Sequence, residues 1–399
     1  MGESFRFIHC SDLHLGCDFV GISKNDAELG RKLRDSVFSA LDRIVSVAKK
    51  EKVDFVIISG DVFDSQNETP YTRVRFCNAI SSLKVPCFIA YGNHDVRRKW
   101  EATIPLPKNA FVFPIGTVHR FVEKNGVRLA EIIGSSFDPQ APEYDHTSGV
   151  RKDSDCFGIG VFHCNVDGAK EGDLYAPCKL KNLVNSNLDY WALGHIHKRA
   201  ILSEDPYVVY PGNTQGMSSK EEGEKGGYVV TVTDGVVTDM KFFRTGAIQW
   251  QSVSCDITGY DDLKKALSSM TDKIEKGSML SVTFTGRGAL DPMLRLEKGS
   301  ISDLIEASTG CTMVSMKVET APDIDLDKRT ETGDFISAVL NFGKRIEQYD
   351  RKDIMDLICS TQTAENLRDR FEEFTDEELK DIVRDSMYLI VDKMEEAER

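Results

Sequence analysis

Residues 5–14 read Phe-Arg-Phe-Ile-His-Cys-Ser-Asp-Leu-His. Phe5 to Cys10 is a short, mostly apolar run that ends at polar residues, the pattern of a buried strand. Asp12 and His14 follow directly past its end. Working outward, Leu33, Val37, Leu41, Ile44, Val45 and Ala48 recur at helical spacing, so residues 30–50 are expected to form a helix. Asp54–Ser59 reads as a second apolar strand and is followed by Gly60-Asp61. A helix near 71–83 comes next. Pro86–Tyr91 reads as a third strand and is followed by Gly92-Asn93-His94-Asp95. Strand–helix–strand–helix–strand order implies a right-handed parallel α/β core. Further strands are expected at Leu129–Gly134, Phe157–Phe162, Asp189–Leu193 and Tyr207–Val209. A hairpin is expected over Gly227–Val232 and Val236–Phe243, turning at Asp234-Gly235.

The pattern changes after about residue 250. Val253–Ile257, a helix near 260–275, Leu280–Thr285, a short helix near 300–308 and Thr312–Val318 read as a small α+β unit. Residues 321–332 are polar and acidic, contain Pro322 and read as a linker. The remainder reads as helical. Phe335, Val339, Phe342 and Ile346 share one face. Leu379, Ile382, Val383, Met387, Ile390, Val391 and Met394 form a stripe on the last helix, suited to local packing or to a partner helix.

The 399 residues carry 50 Lys+Arg against 64 Asp+Glu, a formal charge of −14. Residues 321–399 hold 22 acids and 12 bases, leaving the body, residues 1–320, at net −4. A negative balance of this kind argues against non-specific nucleic-acid binding, but for the tail more than for the body. Local basic clusters exist, among them Arg97-Arg98-Lys99. The longest uncharged apolar runs are of strand length, which excludes a membrane-spanning helix. The N-terminal stretch shows no signal-peptide core. Ten cysteines without C-x-x-C spacing read as reduced thiols of a cytoplasmic protein. The absence of Gly-x-Ser-x-Gly and of a P-loop signature excludes those two chemistries.

Five segments carry the chemistry: Asp12 and His14; Asp61; Asn93, His94 and Asp95; His163; and His195 and His197. Each follows an expected strand, and in open α/β sheets the carboxyl edge is where ligands bind. Imidazole and carboxylate ligands suit Mn²⁺, Fe²⁺ or Zn²⁺ without thiolate. Two such ions about 3.5–4 Å apart can clamp a phosphate and activate water. Cys10 and Cys164 lie beside ligands in sequence but are expected to point into the core by strand alternation. His9 reads as a hydrogen-bonded strand histidine or as a group supporting a ligand from behind. His119 and His146 read as surface residues.

Asp-x-His, Gly-Asp, Gly-Asn-His-Asp, His and Gly-His-x-His, in this order, resemble the calcineurin-like metallophosphoesterase superfamily over roughly residues 5–243. Within it, residues 7–16, Gly60-Asp61-Val62-Phe63-Asp64 and residues 210–228 resemble the SbcD-type DNA-repair exonucleases. The resemblance implies an α/β fold, a two-sheet sandwich flanked by helices over 1–250. It also implies a smaller α+β capping domain over 251–320 and a helical C-terminal segment over 321–399. It assigns Asp12, His14, Asp61 and His197 to one metal and Asp61, Asn93, His163 and His195 to a second, with Asp61 bridging. Manganese is the expected ion. His94 is expected to face the substrate phosphate and Asp95 to orient His94. Asp64 stands where some eukaryotic and archaeal relatives carry His, which is the bacterial pattern.

The implied activity is a metal-dependent DNA nuclease of double-strand-break repair, either exonuclease or endonuclease. Arg97, Arg98 and Lys99 are its expected DNA contacts. The implied partner is an SbcC-type, SMC-like ATPase bound through the C-terminal helices. Relatives of this type also form homodimers through helices of the N-terminal third; the helix near 71–83 suits that role or an inward-packing one. Two other readings use the same residues: a small-molecule phosphodiesterase or nucleotide hydrolase, and a non-catalytic scaffold. The scaffold predicts lost ligands, yet every ligand position and His94 are filled.

Overall fold

The computed structural model describes residues 4–17, 19, 27–64, 67–95, 100–168, 175–322, 330–331, 333–346, 348–361 and 368–398. Arg97, Arg98 and Lys99, and most of the expected linker at 321–332, lie outside the described residues. The chain divides into two compact units, Met1–Trp250 and Gln251–Arg399.

The first unit is a two-sheet α/β sandwich. One sheet runs in the order β14 (Val236–Arg244), β13 (Gly226–Thr233), β1 (Ser4–Cys10), β2 (Phe55–Ser59), β3 (Cys87–Ala90), β4 (Ala110–Val112). Strands β1 to β4 are mutually parallel, whereas β13 and β14 form the expected hairpin and pair antiparallel beside β1. The second sheet runs β11 (Ala200–Glu204), β12 (Tyr207–Tyr210), β10 (Tyr190–Gly194), β7 (Phe157–His163), β6 (Val127–Gly134), β5 (Val118–Lys124). Here β6, β7, β10 and β12 are parallel, with antiparallel β5 and β11 at the two edges, while β8 (Asn165–Val166) and β9 (Pro177–Cys178) form a separate parallel pair. The core lies between the sheets, where Phe7, Phe55 and Phe88 meet Ile132, Ile159, Val161 and Tyr190. Phe7 stacks on Phe55 at 5.1 Å between ring centroids and meets Tyr190 edge-on at 5.3 Å.

Helix α1 (Ala27–Glu51) buries Leu33, Val37, Leu41, Ile44 and Ala48, the positions its spacing predicts. Helix α2 (Pro70–Leu83) starts with Thr69 as N-cap, its hydroxyl accepting from the Thr72 amide at 3.1 Å, and with Pro70 in the first turn. It turns Phe76, Ile80 and Leu83 inward and leaves Tyr71 and Val74 exposed. The sheet-edge strands β5 and β11 were not anticipated. They are mostly solvent-facing, so neither carries a clean apolar alternation.

In the second unit a three-stranded sheet runs β15 (Trp250–Asp256), β16 (Met279–Arg287), β17 (Thr312–Ala321), with β16 and β17 parallel. Helices Leu263–Thr271, Asp291–Leu296 and Lys298–Thr309 cover a core that includes Met270, Val282, Phe284, Leu294 and Ile305. The helices that follow pack on one another. In helix Phe335–Ile346 the buried side chains are Ile336, Ser337, Leu340 and Ile346. The expected face is met in part: Val339 packs with Ile336, Leu340 and Val391 and Ile346 is buried, but Phe335 is 64% exposed. The stripe on the last helix, Asp376–Glu398, packs locally: Met387, Val391 and Met394 join that cluster, and Leu379 and Val383 join Ile354 and Met355.

Candidate dinuclear metal site

All five expected segments reach one rim of the sandwich. Strands β1, β2 and β3 end at Cys10, Ser59 and Ala90, and β7 and β10 end at His163 and Gly194. The two sheets close on each other at this rim. The Asp12 carboxylate accepts from the His195 amide at 3.1 Å, and His163 Nδ1 meets the Ser59 carbonyl at 2.9 Å. A Cβ on Gly194 would overlap that same Ser59 carbonyl, so only glycine permits the approach. A Cβ on Gly60, where φ is +99°, would run into the His163 ring.

The ligand candidates are held in unusual backbone. Asp12, His14, Asp61 and His195 have φ of 53°, 44°, 49° and 96°. For non-glycine residues this left-handed region costs about 1–3 kcal/mol each and persists where surrounding structure enforces it, often at functional sites.

Asp61 sits at the centre. Its Oδ2 lies 3.3 Å from His163 Nε2 and 3.7 Å from His14 Nε2, while its Oδ1 accepts from the His94 amide at 2.9 Å. On one side His14 Nε2 faces His197 Nε2 at 3.0 Å, with Asp12 Oδ1 3.9 Å from the latter. On the other, the Asn93 Oδ1 lies 2.9 Å from His163 Nε2 and 3.1 Å from His195 Nδ1. So the expected set Asp12, His14, Asp61, His197 and the expected set Asp61, Asn93, His163, His195 each assemble, sharing Asp61. Ligand atoms of Asp12, His14 and His197, and of Asp12, Asp61 and His163, fall within 4.8 Å of one another.

The residues fit a pair of divalent cations. Burial opposes the charged form of His163, yet the neighbouring Asp61 carboxylate pushes its pKa up to about 9, and His163 in turn helps hold Asp61 below the usual carboxylate range against its own burial. A divalent cation shared by the two would displace that proton, since metal binding needs the neutral ring. Burial pulls His14 down to about 4, which leaves its ring neutral and ready to ligate. The face-to-face Nε2 atoms of His14 and His197 are likewise better satisfied by a cation than by each other.

His94 projects further out, with its side chain 47% exposed and its ring centroid 4.9 Å from that of His14. Its Nδ1 faces Asp64 Oδ1 at 3.7 Å, and that carboxylate raises the His94 pKa despite partial burial. This corrects the expected role of Asp95. The short turn Asn93–Asp95 carries Asp95 inward. There its carboxylate accepts from the backbone amides of Phe63, Gly92 and Val62 at 2.8, 2.9 and 3.1 Å. Asp95 ties two ligand loops together, and Asp64 is the carboxylate beside the His94 ring. Burial and the Asp61 charge push Asp95 up to about 7, against the pull of its three amide donors.

His9 is the hydrogen-bonded strand histidine. It lies between Tyr190 Oη at 3.0 Å and Ser59 Oγ at 2.8 Å, and burial lowers its pKa to about 3. Cys10 and Cys164 are buried, as expected. His119 and His146 are half-buried rather than at the surface, and His119 Nδ1 lies 2.7 Å from Glu131. Spacing also missed Glu221, whose Oε1 sits 2.6 Å from His197 Nδ1. The available signal was that it falls within residues 210–228, one of the stretches singled out in the sequence.

No helix among the described residues is long and apolar enough to cross a membrane. A family profile described as calcineurin-like phosphoesterase matches residues 5–199. The chain is 30% identical over 403 aligned residues to the uncharacterized metallophosphoesterase YhaO of Bacillus subtilis (strain 168), covering 98% of each chain. Among solved structures, TT1561 of Thermus thermophilus is 13% identical, covers 61% of this chain and 100% of that one, and gives a TM-score of 0.36. A dimetal phosphatase from Danio rerio is 13% identical, covers 60% and 96% and gives 0.37. The five converging segments and the full-length relative place this chain in the calcineurin-like metallophosphoesterase superfamily, whose members hydrolyse phosphoesters with two divalent metal ions.

Proposed function

We propose that this protein is a phosphodiesterase acting on DNA, an exonuclease or endonuclease of the SbcD type that serves double-strand-break repair. The observation that carries the phosphoester chemistry is the central Asp61 carboxylate, with one ligand set on each side of it. The SbcD-like text at residues 7–16, 60–64 and 210–228 supports DNA as the substrate. Two divalent ions, when bound, supply a polarised water for in-line attack and neutralise charge on the phosphate. Manganese is the ion proposed. Asp12, His14, Asp61 and His197 would hold one, and Asp61, Asn93, His163 and His195 the other.

The chain's own residues do the rest. His94 reaches beyond the ligands, and with Nδ1 turned to Asp64 its Nε2 is left for the substrate. A proton held there is placed to pass to the leaving oxygen. Asp95 keeps the His94 loop in register with the Asp61 loop through its three amide contacts. The α+β part of the second unit is proposed to cap the metals. The last helices are proposed to receive an SMC-like ATPase, and the exposed Tyr71 and Val74 of α2 to meet a second copy. Arg97, Arg98 and Lys99 are proposed to follow DNA phosphates. Neutralising them should weaken binding and flatten its salt dependence, and an unchanged salt slope would remove them from that role.

The test is cleavage of an end-labelled linear duplex with Mn²⁺ by wild type and His94→Ala, with a bis-aryl phosphodiester alongside. Shortened DNA with wild type only supports the nuclease. Cleavage of the small diester alone, with DNA untouched even in the presence of the ATPase, would replace it by a small-molecule phosphodiesterase.

A further inference from the structure

The imidazoles of the two ligand sets are not supported alike from behind. His163 turns Nδ1 to a neutral acceptor, the Ser59 carbonyl, at 2.9 Å. His197 turns Nδ1 to a carboxylate, Glu221 Oε1, at 2.6 Å. The second oxygen of Glu221 is also used: it accepts from Met217 N at 2.7 Å and from Asn213 Nδ2 at 2.8 Å. That carboxylate is only 17% exposed. The surrounding segment is laced onto the ligand loops. Asn213 N donates to the His197 carbonyl at 3.2 Å, Lys225 Nζ donates to the same carbonyl at 3.2 Å, and Thr214 N reaches the Asp12 carbonyl at 3.4 Å.

We infer that Glu221 is a positioning residue for one of the two metal ions, fixing His197 in the Nδ1–H form so that Nε2 faces the Asp12–His14 side as a free lone pair. The argument rests on the dinuclear reading above. A carboxylate behind a ligating imidazole sets its tautomer, fixes its plane and raises its basicity, and removing such a partner weakens metal binding or activity by about 10–100-fold. Because Glu221 touches only His197 among the ligands, its effect should fall on the Asp12–His14–His197 ion and spare the ion held by Asn93, His163 and His195.

The test is calorimetric titration of the chelator-stripped full chain with Mn²⁺, with thermal melts of the metal-free proteins in parallel. Wild type should bind two ions. Glu221→Ala should weaken one by about 10–100-fold and leave the other within about 3-fold. Glu221→Gln, which keeps an acceptor oxygen without the charge, should fall between. Two ions bound by wild type with both constants unchanged in both variants would overturn the inference and leave the dinuclear reading standing. Both ions weakened equally, with a lowered metal-free melting temperature, would also overturn it and make Glu221 a general brace. Fewer than two ions on wild type would overturn the dinuclear reading itself, and this inference with it.

Discussion

Gly194→Ala should damage the site far more than one methyl group suggests. Gly194 ends β10 and sits in parallel register with His163 at the end of β7. A Cβ there would overlap the Ser59 carbonyl of the facing sheet and come within 3.0 Å of His163 Nδ1. The obstacle is backbone, so no flexible side chain can swing aside. The two sheets must separate at the rim, and Asn93 and Asp61 belong to one side while His163 and His195 belong to the other. Overpacking of this kind costs about 1–3 kcal/mol. For a domain of this size each kcal/mol lowers the melting temperature by about 2–4 °C, so a fall of about 2–12 °C is expected. Catalysis is more sensitive, since a displacement of about 1 Å costs about 100-fold in rate. The assay is hydrolysis of a bis-aryl phosphodiester at saturating Mn²⁺, paired with a thermal melt. Gly299→Ala is the control: a Cβ there meets nothing within 4 Å, so it should change neither reading for the worse. Wild-type activity and stability in Gly194→Ala would refute the reasoning that the two sheets meet at this point.

Asp64→Ala should lower turnover roughly 10-fold while metal content stays unchanged, because it frees the His94 ring without touching a ligand, a fraction of the about 100–10,000-fold a general acid supplies; a wild-type rate would remove Asp64 from the mechanism. Glu68→Gln should destabilise the chain by about 3–5 kcal/mol in urea unfolding, since it strands the fully buried Arg73, which now lies 3.3 Å from Glu68. Glu131 accepts from His119, from the amides of Asp153 and Ser154 and from the Ser154 hydroxyl. Glu131→Gln should therefore cost about 1–3 kcal/mol at pH 7. Glu131 opposes its own burial with these donors, and its pKa lies below the usual value. A depressed pKa stabilises the fold above the unfolded value of about 4.3 and ceases to do so as pH falls through the folded value. The gap between wild type and Glu131→Gln should thus narrow below about pH 4.3; a gap that widens there would show that the carboxylate is not what the fold uses.

The ligand candidates were legible because each lies within a few residues of a strand end, and all but His163 stand beside a glycine or a second candidate. Asp12, Asp61 and Asn93 follow three parallel strands of one sheet, and that order alone puts them on one edge. That His163 and His195 belong to the same rim depends on a second sheet lying face to face with the first. Strand periodicity does not encode that placement; the family resemblance supplied it. The role the resemblance implies for Asp95 is not the one its place allows, because the turn at Asn93–Asp95 points His94 outward and carries Asp95 inward onto the amides of Val62, Phe63 and Gly92. Glu221 was invisible to spacing: it lies 24 positions from His197 and reaches it only through tertiary contacts. In helix Phe335–Ile346 apolar residues sit on adjacent faces, so spacing could not tell that Ile336 and Leu340 join Val339 on the face toward Val391 while Phe335 stays exposed.

The central claim is that Asp61 is shared by two cations. Anomalous diffraction from crystals soaked in Mn²⁺ tests it most directly. Two peaks about 3.5–4 Å apart are expected, one flanked by Asp12, His14 and His197, the other by Asn93, His163 and His195, with Asp61 touching both. A single peak, or two peaks of which only one contacts Asp61, would contradict it.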